Sequence, residues 1–299
     1  MTKSTAINAL TDQQITQLAT SIKFALLSTQ ISALNATQFD ILGTSNVQNL
    51  ATEQVRALST DQIININQDQ IAALTTLQVN SLMTEQLAAL TTDQFLAIGT
   101  ADIVAMESTQ IAALTSDQVA NFLPEQIVAL GTKQLAGLTT EQLFNLTTDE
   151  ISILSAAQLN SLATASMSGL SPDALRAIAT DRVAGMTVLL PRLTPEQIQG
   201  LSADQIGAIP SSQIAAMGTS LIAGFGVEQL SGLTTDQITQ LATAQLNALD
   251  PNIVPNFSAE QAHALTAYQV DKLSNEVFDM LPINSWDQGT VDTSLRVSH

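Results

Sequence analysis

Chemistry at a protein surface needs a nucleophile beside a base, a set of metal ligands, a matched acid and base, or a loop that cradles phosphate. Serine and threonine are abundant here, but no base or orienting group is spaced to activate one. There is no cysteine, so disulfides and thiolate metal sites are excluded; His263 and His299 are the only histidines and lie far apart in sequence, so a zinc site from them is not expected. Gly224-Phe225-Gly226 lacks the length and spacing of a phosphate-binding loop. Most of the 27 Asp and Glu residues recur at one repeat position, just before the Gln, which reads them as charges at helix ends and not as halves of catalytic pairs. The recurrent glutamines read as capping or stacking residues. No catalytic, cofactor-binding or metal-ligating residue is assigned, and no cofactor is expected.

What must be positioned is a repeat. Gln54, Gln62, Gln70, Gln78, Gln86 and Gln94 fall eight apart, as do Gln110, Gln118, Gln126, Gln134 and Gln142. Each is followed by an apolar residue (Val55, Ile63, Ile71, Val79, Leu87, Phe95) and, four places after the Gln, by Leu or Ile (Leu58, Ile66, Leu74, Leu82, Leu90, Ile98). The residue before that Leu is usually small: Ala57, Ala73, Ser81, Ala89, Gly137. The register holds from near Ala6 to Met186 and resumes at Gln197, one residue short, after Val188-Leu189-Leu190-Pro191. About 34 octads result, a self-similarity that must be read before any other feature.

An octad cannot be a slice of one long helix. Eight residues advance about 2.2 turns, so the apolar pair would drift around the axis and form no seam. Gln-Leu-Ala-Ala-Leu is helix-prone and lacks strand alternation, which excludes a β-solenoid. In Leu74-Thr75-Thr76-Leu77-Gln78-Val79, Thr75 and Gln78 have the spacing of a capping box, and Leu74 and Val79 that of a hydrophobic staple. Leu90/Thr91/Gln94/Phe95, Leu114/Thr115/Gln118/Val119 and Leu233/Thr234/Gln237/Ile238 repeat it. Gly43, Gly99, Gly131 and Gly218 in place of the first Thr suggest sharp corners. Each octad therefore starts a new helix of one to two turns. Such helices are unstable alone, so neighbours must hold them, which is the energetic signature of a solenoid.

The fold class expected is all-α: a solenoid of very short N-capped helices from an octapeptide repeat. The residue before each Gln suggests the cross-section. Glu85 and Asp93 are acidic, Ala101 and Thr109 are not, and Asp117 and Glu125 are acidic again. This rhythm predicts about four helices per superhelical turn. Residues 1–281 are expected to form the continuous solenoid, with a register defect near 187–196. Residues 282–299, which hold Trp286, are expected to be a C-terminal cap or flexible tail. Octads around 219–226 and 250–257 lose the Gln, and Pro251 and Pro255 predict an irregular turn.

A net charge of −18 argues against direct binding of nucleic-acid phosphates. No run of 18 apolar residues exists, so no membrane span is expected. The opening Met1-Thr2-Lys3-Ser4-Thr5-Ala6-Ile7-Asn8 lacks a signal peptide's pattern, so the chain is expected to be either cytoplasmic or secreted without a cleaved N-terminal signal. At Leu-Thr-Thr-Asp-Gln-Ile and Leu-Ala-Ala-Leu-Thr-Thr the chain resembles Leu/Thr/Gln-rich short-repeat regions of large exported bacterial proteins of the adhesion- or haem-utilisation-like kind. The resemblance implies a secreted, adhesive setting. Repetition without an embedded site predicts a non-enzymatic structural or interaction protein (spacer, scaffold or adhesin-like rod). Its partner would be a protein or a second copy, with no small-molecule site. The alternative is an acidic DNA mimic that regulates a nucleic-acid-binding enzyme. Acids in regular rows at phosphate-like intervals would favour mimicry, and patchy charge a scaffold.

Overall fold

A computed structural model describes residues 7–19, 26–162 and 164–282. Among them the chain is all-helical: thirty α-helices of four to eight residues, four 3-10 helices and no strand. It divides into two compact units, residues 1–146 and 147–299. The tail from Asn284, with Trp286 and His299, lies outside the described residues, as does Ala6.

One octad shows how the sequence makes the unit. Thr75 is the N-cap, in extended backbone (φ −77°, ψ 157°), and the helix runs Thr76–Ser81. The Thr75 hydroxyl accepts from the Gln78 N–H at 3.4 Å, and Gln78 Oε1 accepts from the Thr75 N–H at 2.8 Å, closing the capping box. Val79 N–H then donates to the Thr75 carbonyl, and Leu82 N–H to the Val79 carbonyl. Leu82 is itself extended (φ −58°, ψ 134°), so the helix stops there and the next N-cap follows at once. Two successive extended residues are the corner. Val79 and Leu82 both point inward and are buried, as are their counterparts in other octads. Where the N-cap has no polar side chain, as at Leu27, Ala51, Met83 and Leu123, the Gln half of the box still operates.

The stacking follows from which helices touch. Thr52–Arg56 packs against Thr76–Ser81, that helix against Thr100–Ala105, and that one against Pro124–Ala129. Each helix meets the helix three places on. The unit of residues 147–299 does the same: Pro195–Ile198, Thr219–Ala223 and Thr243–Leu246 form one stack, and Thr180–Val183, Ala203–Ala208 and Val227–Gly232 another. The turn is thus three helices, one per octad, and the expected four per turn is corrected. Interior volume is the physical reason. For equal sides a square encloses about 1.7 times more area per side than a triangle, and interiors must be filled to crystal-like density. Two aliphatic side chains per octad, with aromatics at only 3%, fill the smaller section.

The corner glycines also differ from expectation. Gly99, Gly131 and Gly218 are N-caps in ordinary extended backbone that any residue adopts. Among the described residues only Gly43 has positive φ, at 71°. Glycine is needed instead where a stacked helix passes close. A Cβ on Gly200 would lie 2.5 Å from the Pro172 Cα, one on Gly224 2.5 Å from the Pro195 Cα, and one on Gly137 2.5 Å from the Ser108 carbonyl oxygen. The small residue before each Leu is therefore the point where a helix end crosses the helix start beneath it.

Candidate interaction surface

The recurrent glutamine is the joint of the structure, and its whole side chain is used. Gln118 Oε1 accepts from the Thr115 N–H at 2.8 Å, while Nε2 donates to the carbonyls of Leu87 at 2.9 Å and Leu90 at 2.7 Å. Gln142 reaches Ile111 and Leu114, Gln237 reaches Ile206 and Ile209, and Gln269 reaches Ile238 and Leu241, in each case 31 and 28 residues back. Those carbonyls belong to the end of the helix that precedes the one stacked beneath (Leu87 and Leu90 end Thr84–Ala89, just before Thr92–Leu96), and a helix cannot satisfy its end carbonyls by itself. A single amide thus caps the start of one helix and the end of another. The sequence reading of capping or stacking resolves into both at once.

The ladder also locates the register defect. Across it the separations fall by one: Gln197 reaches Met167 and Leu170, and Gln205 reaches Leu175 and Ile178, 30 and 27 residues back. From Gln237 on they return to 31 and 28. The shortened turn holds the 3-10 helix Leu190–Arg192, which rises more per residue than an α-helix. The octad at 250–257 is irregular as expected, with a 3-10 helix at Val254–Asn256, whereas Thr219–Ala223 stays α-helical with Leu221 in the Gln position.

The interior consumes the glutamines, and among the outward positions the second and fifth residues of each helix carry most of the exposed charges and large apolar side chains. In residues 1–146 these form three faces. On the stack Gln68–Ala72, Thr92–Leu96, Ser116–Val119 and Thr140–Asn145, the second residue is Asp69, Asp93, Asp117 and Glu141, an exposed acid in every layer. On the stack Thr60–Asn65, Thr84–Ala89, Ser108–Ala113 and Thr132–Leu135 it is Asp61, Glu85, Thr109 and Lys133, and Lys133 pairs with Glu107. On the stack Thr52–Arg56, Thr76–Ser81, Thr100–Ala105 and Pro124–Ala129, Glu53, Arg56 and Glu125 are interspersed with exposed Leu77 (74% exposed), Val104 and Val128. In residues 147–299, Asp181, Asp204 and Glu228 make a further acid row. Successive acids of a row belong to every third octad, and sequence reasoning missed them by following every fourth.

The acids sit where helix starts favour negative charge. The Glu196 and Glu260 carboxyls are held below the usual range, first by their own backbone N–H groups at the helix start and then by the Thr194 and Ser258 hydroxyls. Arg176 donates to both Glu228 oxygens at 2.9 and 2.8 Å, and that pair lowers the Glu228 pKa. His263 ends the helix Ala259–His263. Gly224-Phe225-Gly226 forms a corner. Among the described residues no group of three His, Asp or Glu side chains is placed to hold a metal ion, and no helix is long and apolar enough to cross a membrane.

Stacked helices of one to two turns tied by an amide ladder define a repeat protein of the short-helix solenoid class. Residues 63–100, 87–124, 95–132 and 124–164 match the ALTTAQ repeat. The letters of that name describe the corner: in Ala89-Leu90-Thr91-Thr92-Asp93-Gln94, Leu90 closes one helix, Thr91 caps the next, and Gln94 ties both to the layer below. No curated protein sequence matches the chain.

Proposed function

We propose that the protein is a non-enzymatic interaction scaffold that binds a protein partner, or another copy of itself, through its outward helix faces. One observation carries this reading. Among the described residues every buried side-chain nitrogen and oxygen finds a hydrogen bond within the repeat, except Glu150 Oε1 and Gln213 Oε1. The polar side chains are spent on holding layers together, and recognition is left to the second and fifth helix positions. The depressions lined by Thr52, Arg56 and Leu77, and by Asn67, Asp69 and Asp93, are open surface features between layers. An exported, adhesive setting is the one implied by the resemblance of the Leu-Thr-Thr-Asp-Gln-Ile units.

The row Asp69, Asp93, Asp117 and Glu141 favours the DNA-mimic reading in its regularity. Its magnitude does not. One acid per helix layer of about 8–10 Å is several-fold sparser than the charge every ~1.7 Å along duplex DNA. Residues 1–146 carry twelve Asp and Glu against four Lys and Arg, a net −8.

Photo-crosslinking residues placed at Ala72, Ala88 and Val128, one on each face, test the reading in the producing cell. A discrete protein adduct from at least one face is expected. Absence of any protein adduct from all three would refute it.

A further inference from the structure

Of the seven large hydrophobic side chains exposed in residues 1–146, five lie on or at the corners of one face: Leu27, Leu77, Val104, Leu123 and Val128. The second-position column of this face reads Glu53, Leu77, Ala101, Glu125, and the fifth-position column Arg56, Asn80, Val104, Val128. Thr52–Arg56 carries opposite charges in the two columns, and Arg56 forms no ion pair with another side chain among the described residues. An open depression lined by Thr52, Glu53, Arg56, Asn80 and Ser81 lies beside Leu77.

We infer that this face is a homodimer interface, in which a second copy docks about a two-fold axis parallel to the stack. The inference rests on the reading of the outward faces as an interaction surface and names the partner. Such an axis sets each helix against its own counterpart running the opposite way, so the second position of one copy faces the fifth of the other. Glu53 then meets Arg56 of the second copy, and Arg56 meets its Glu53, in two reciprocal ion pairs. Leu77 of each copy faces Asn80 and Ser81 at the depression of the other. Val104 faces Ala101, and Val128 faces the aliphatic stem of Glu125, whose carboxylate stays at the rim. On the neighbouring face the same axis would set Asp69, Asp93, Asp117 and Glu141 against Ala72, Leu96, Ala120 and Phe144, with no cation in either column to pair with an acid.

The size of the face sets the strength. Helices of five or six residues with their corners, stacked in four or five layers of about 8–10 Å, present roughly 500–600 Å² per copy. That is below the ~800 Å² per partner of standard stable complexes, which makes the dimer a weak, transient association.

Sedimentation equilibrium of the full chain from about 1 µM to 1 mM tests this. Wild type is expected to dimerise, and Leu77→Glu and Arg56→Glu each to weaken the dimer about ten-fold or more, since the first desolvates a carboxylate against uncharged Asn80 and Ser81 and the second sets one against Glu53. Glu53→Arg combined with Arg56→Glu is expected to restore it, because the reciprocal pairs are merely exchanged. A second measurement does not depend on those variants. The chain has no cysteine, so a mixture of Glu53→Cys and Arg56→Cys proteins should form a disulfide-linked dimer faster than either alone. A monomer at 1 mM, a dimer indifferent to both single substitutions, or no preference for the mixed disulfide overturns the inference. A photo-adduct to a different protein from a monomeric chain would overturn it while leaving the scaffold reading standing.

Discussion

The helices between Thr52 and Asn145 and those between Thr148 and Met280 are built from the same octad but differ in their joints. In the first stretch the third helix residue is Gln in eleven of twelve helices, with Asp102 the departure. In the second it is also Glu150, Ala174, Arg182, Leu221 and Val277. The departures show which parts of the amide matter. Arg182 keeps the donor half: its Nη1 reaches the carbonyls of Ser152 and Leu154, the layer-to-layer contact a Gln would make. Glu150 keeps the acceptor half. Its Oε2 accepts from the Thr147 N–H at 2.7 Å, and its Oε1 is buried without a partner, since a carboxylate has no N–H to give. Gln213 has both halves but stands three residues after Pro210, whose nitrogen carries no hydrogen, so Gln213 Oε1 is the other buried atom left alone.

Substitutions can widen or close this difference. The largest effect is expected from breaking an intact joint. Gln118→Leu strips three hydrogen bonds and leaves the Thr115 N–H and the Leu87 and Leu90 carbonyls dry, a loss of about 3–5 kcal/mol. It should be read as faster hydrogen exchange in the layers on either side, because a repeat array opens locally. Gly200→Ala should cost about 1–3 kcal/mol, since the Pro172 backbone must move away from the new methyl group. A shift in the urea midpoint checks it. Glu150→Gln is expected to raise stability by about 1–3 kcal/mol by supplying the missing donor group. An unchanged or lower midpoint would show that the carboxylate is already satisfied.

Pro210→Ser should stabilise by about 1 kcal/mol. The gain of an N–H for Gln213 and of a capping hydroxyl outweighs the entropy the proline removed from the unfolded chain. The smallest effect belongs to the exposed Arg176–Glu228 pair. Its lowered carboxylate pKa contributes stability that is present above the unfolded value and lost as pH falls through the folded one. Wild type and Glu228→Gln should therefore converge on acidification, which paired melting curves at neutral and acidic pH would show.

The local unit was legible because its signals are short-range and chemical. Thr75 and Gln78 are three residues apart, so their box can be read without knowing what lies beyond the octad, and Leu74 and Val79 announce the staple in the same way. The number of helices per turn was not legible from the residues chosen to find it. Asp69, Asp93, Asp117 and Glu141 step by three octads, while Glu85, Asp117, Asp149 and Asp181 step by four, and both series are acidic throughout. Surface carboxylates have no packing to satisfy, so their rhythm carries no information about what stacks on what. The interior decides, through how much space two aliphatic side chains and one amide can fill. The second role of Gln, donation to carbonyls a whole turn earlier in the chain, has no local signature for the same reason. The apolar face was hidden because Leu77 stands at the second helix position and Val104 and Val128 at the fifth, so the three align only once the turn is known to be three helices.

A three-helix turn also fixes how such a chain can change length. Within residues 1–146, inserting three octads would add a layer and return every later side chain to its own face. Inserting one octad would fit the interior equally well, since each corner accepts any other, but would advance all later side chains by a third of a revolution. Acids would then stand in line with Leu77. The repeat is therefore indifferent to octad number in its folding and sensitive to it in its recognition. Length variants of this chain should come in two kinds: those in steps of three octads that preserve a binding face, and those in single steps that fold and have lost it.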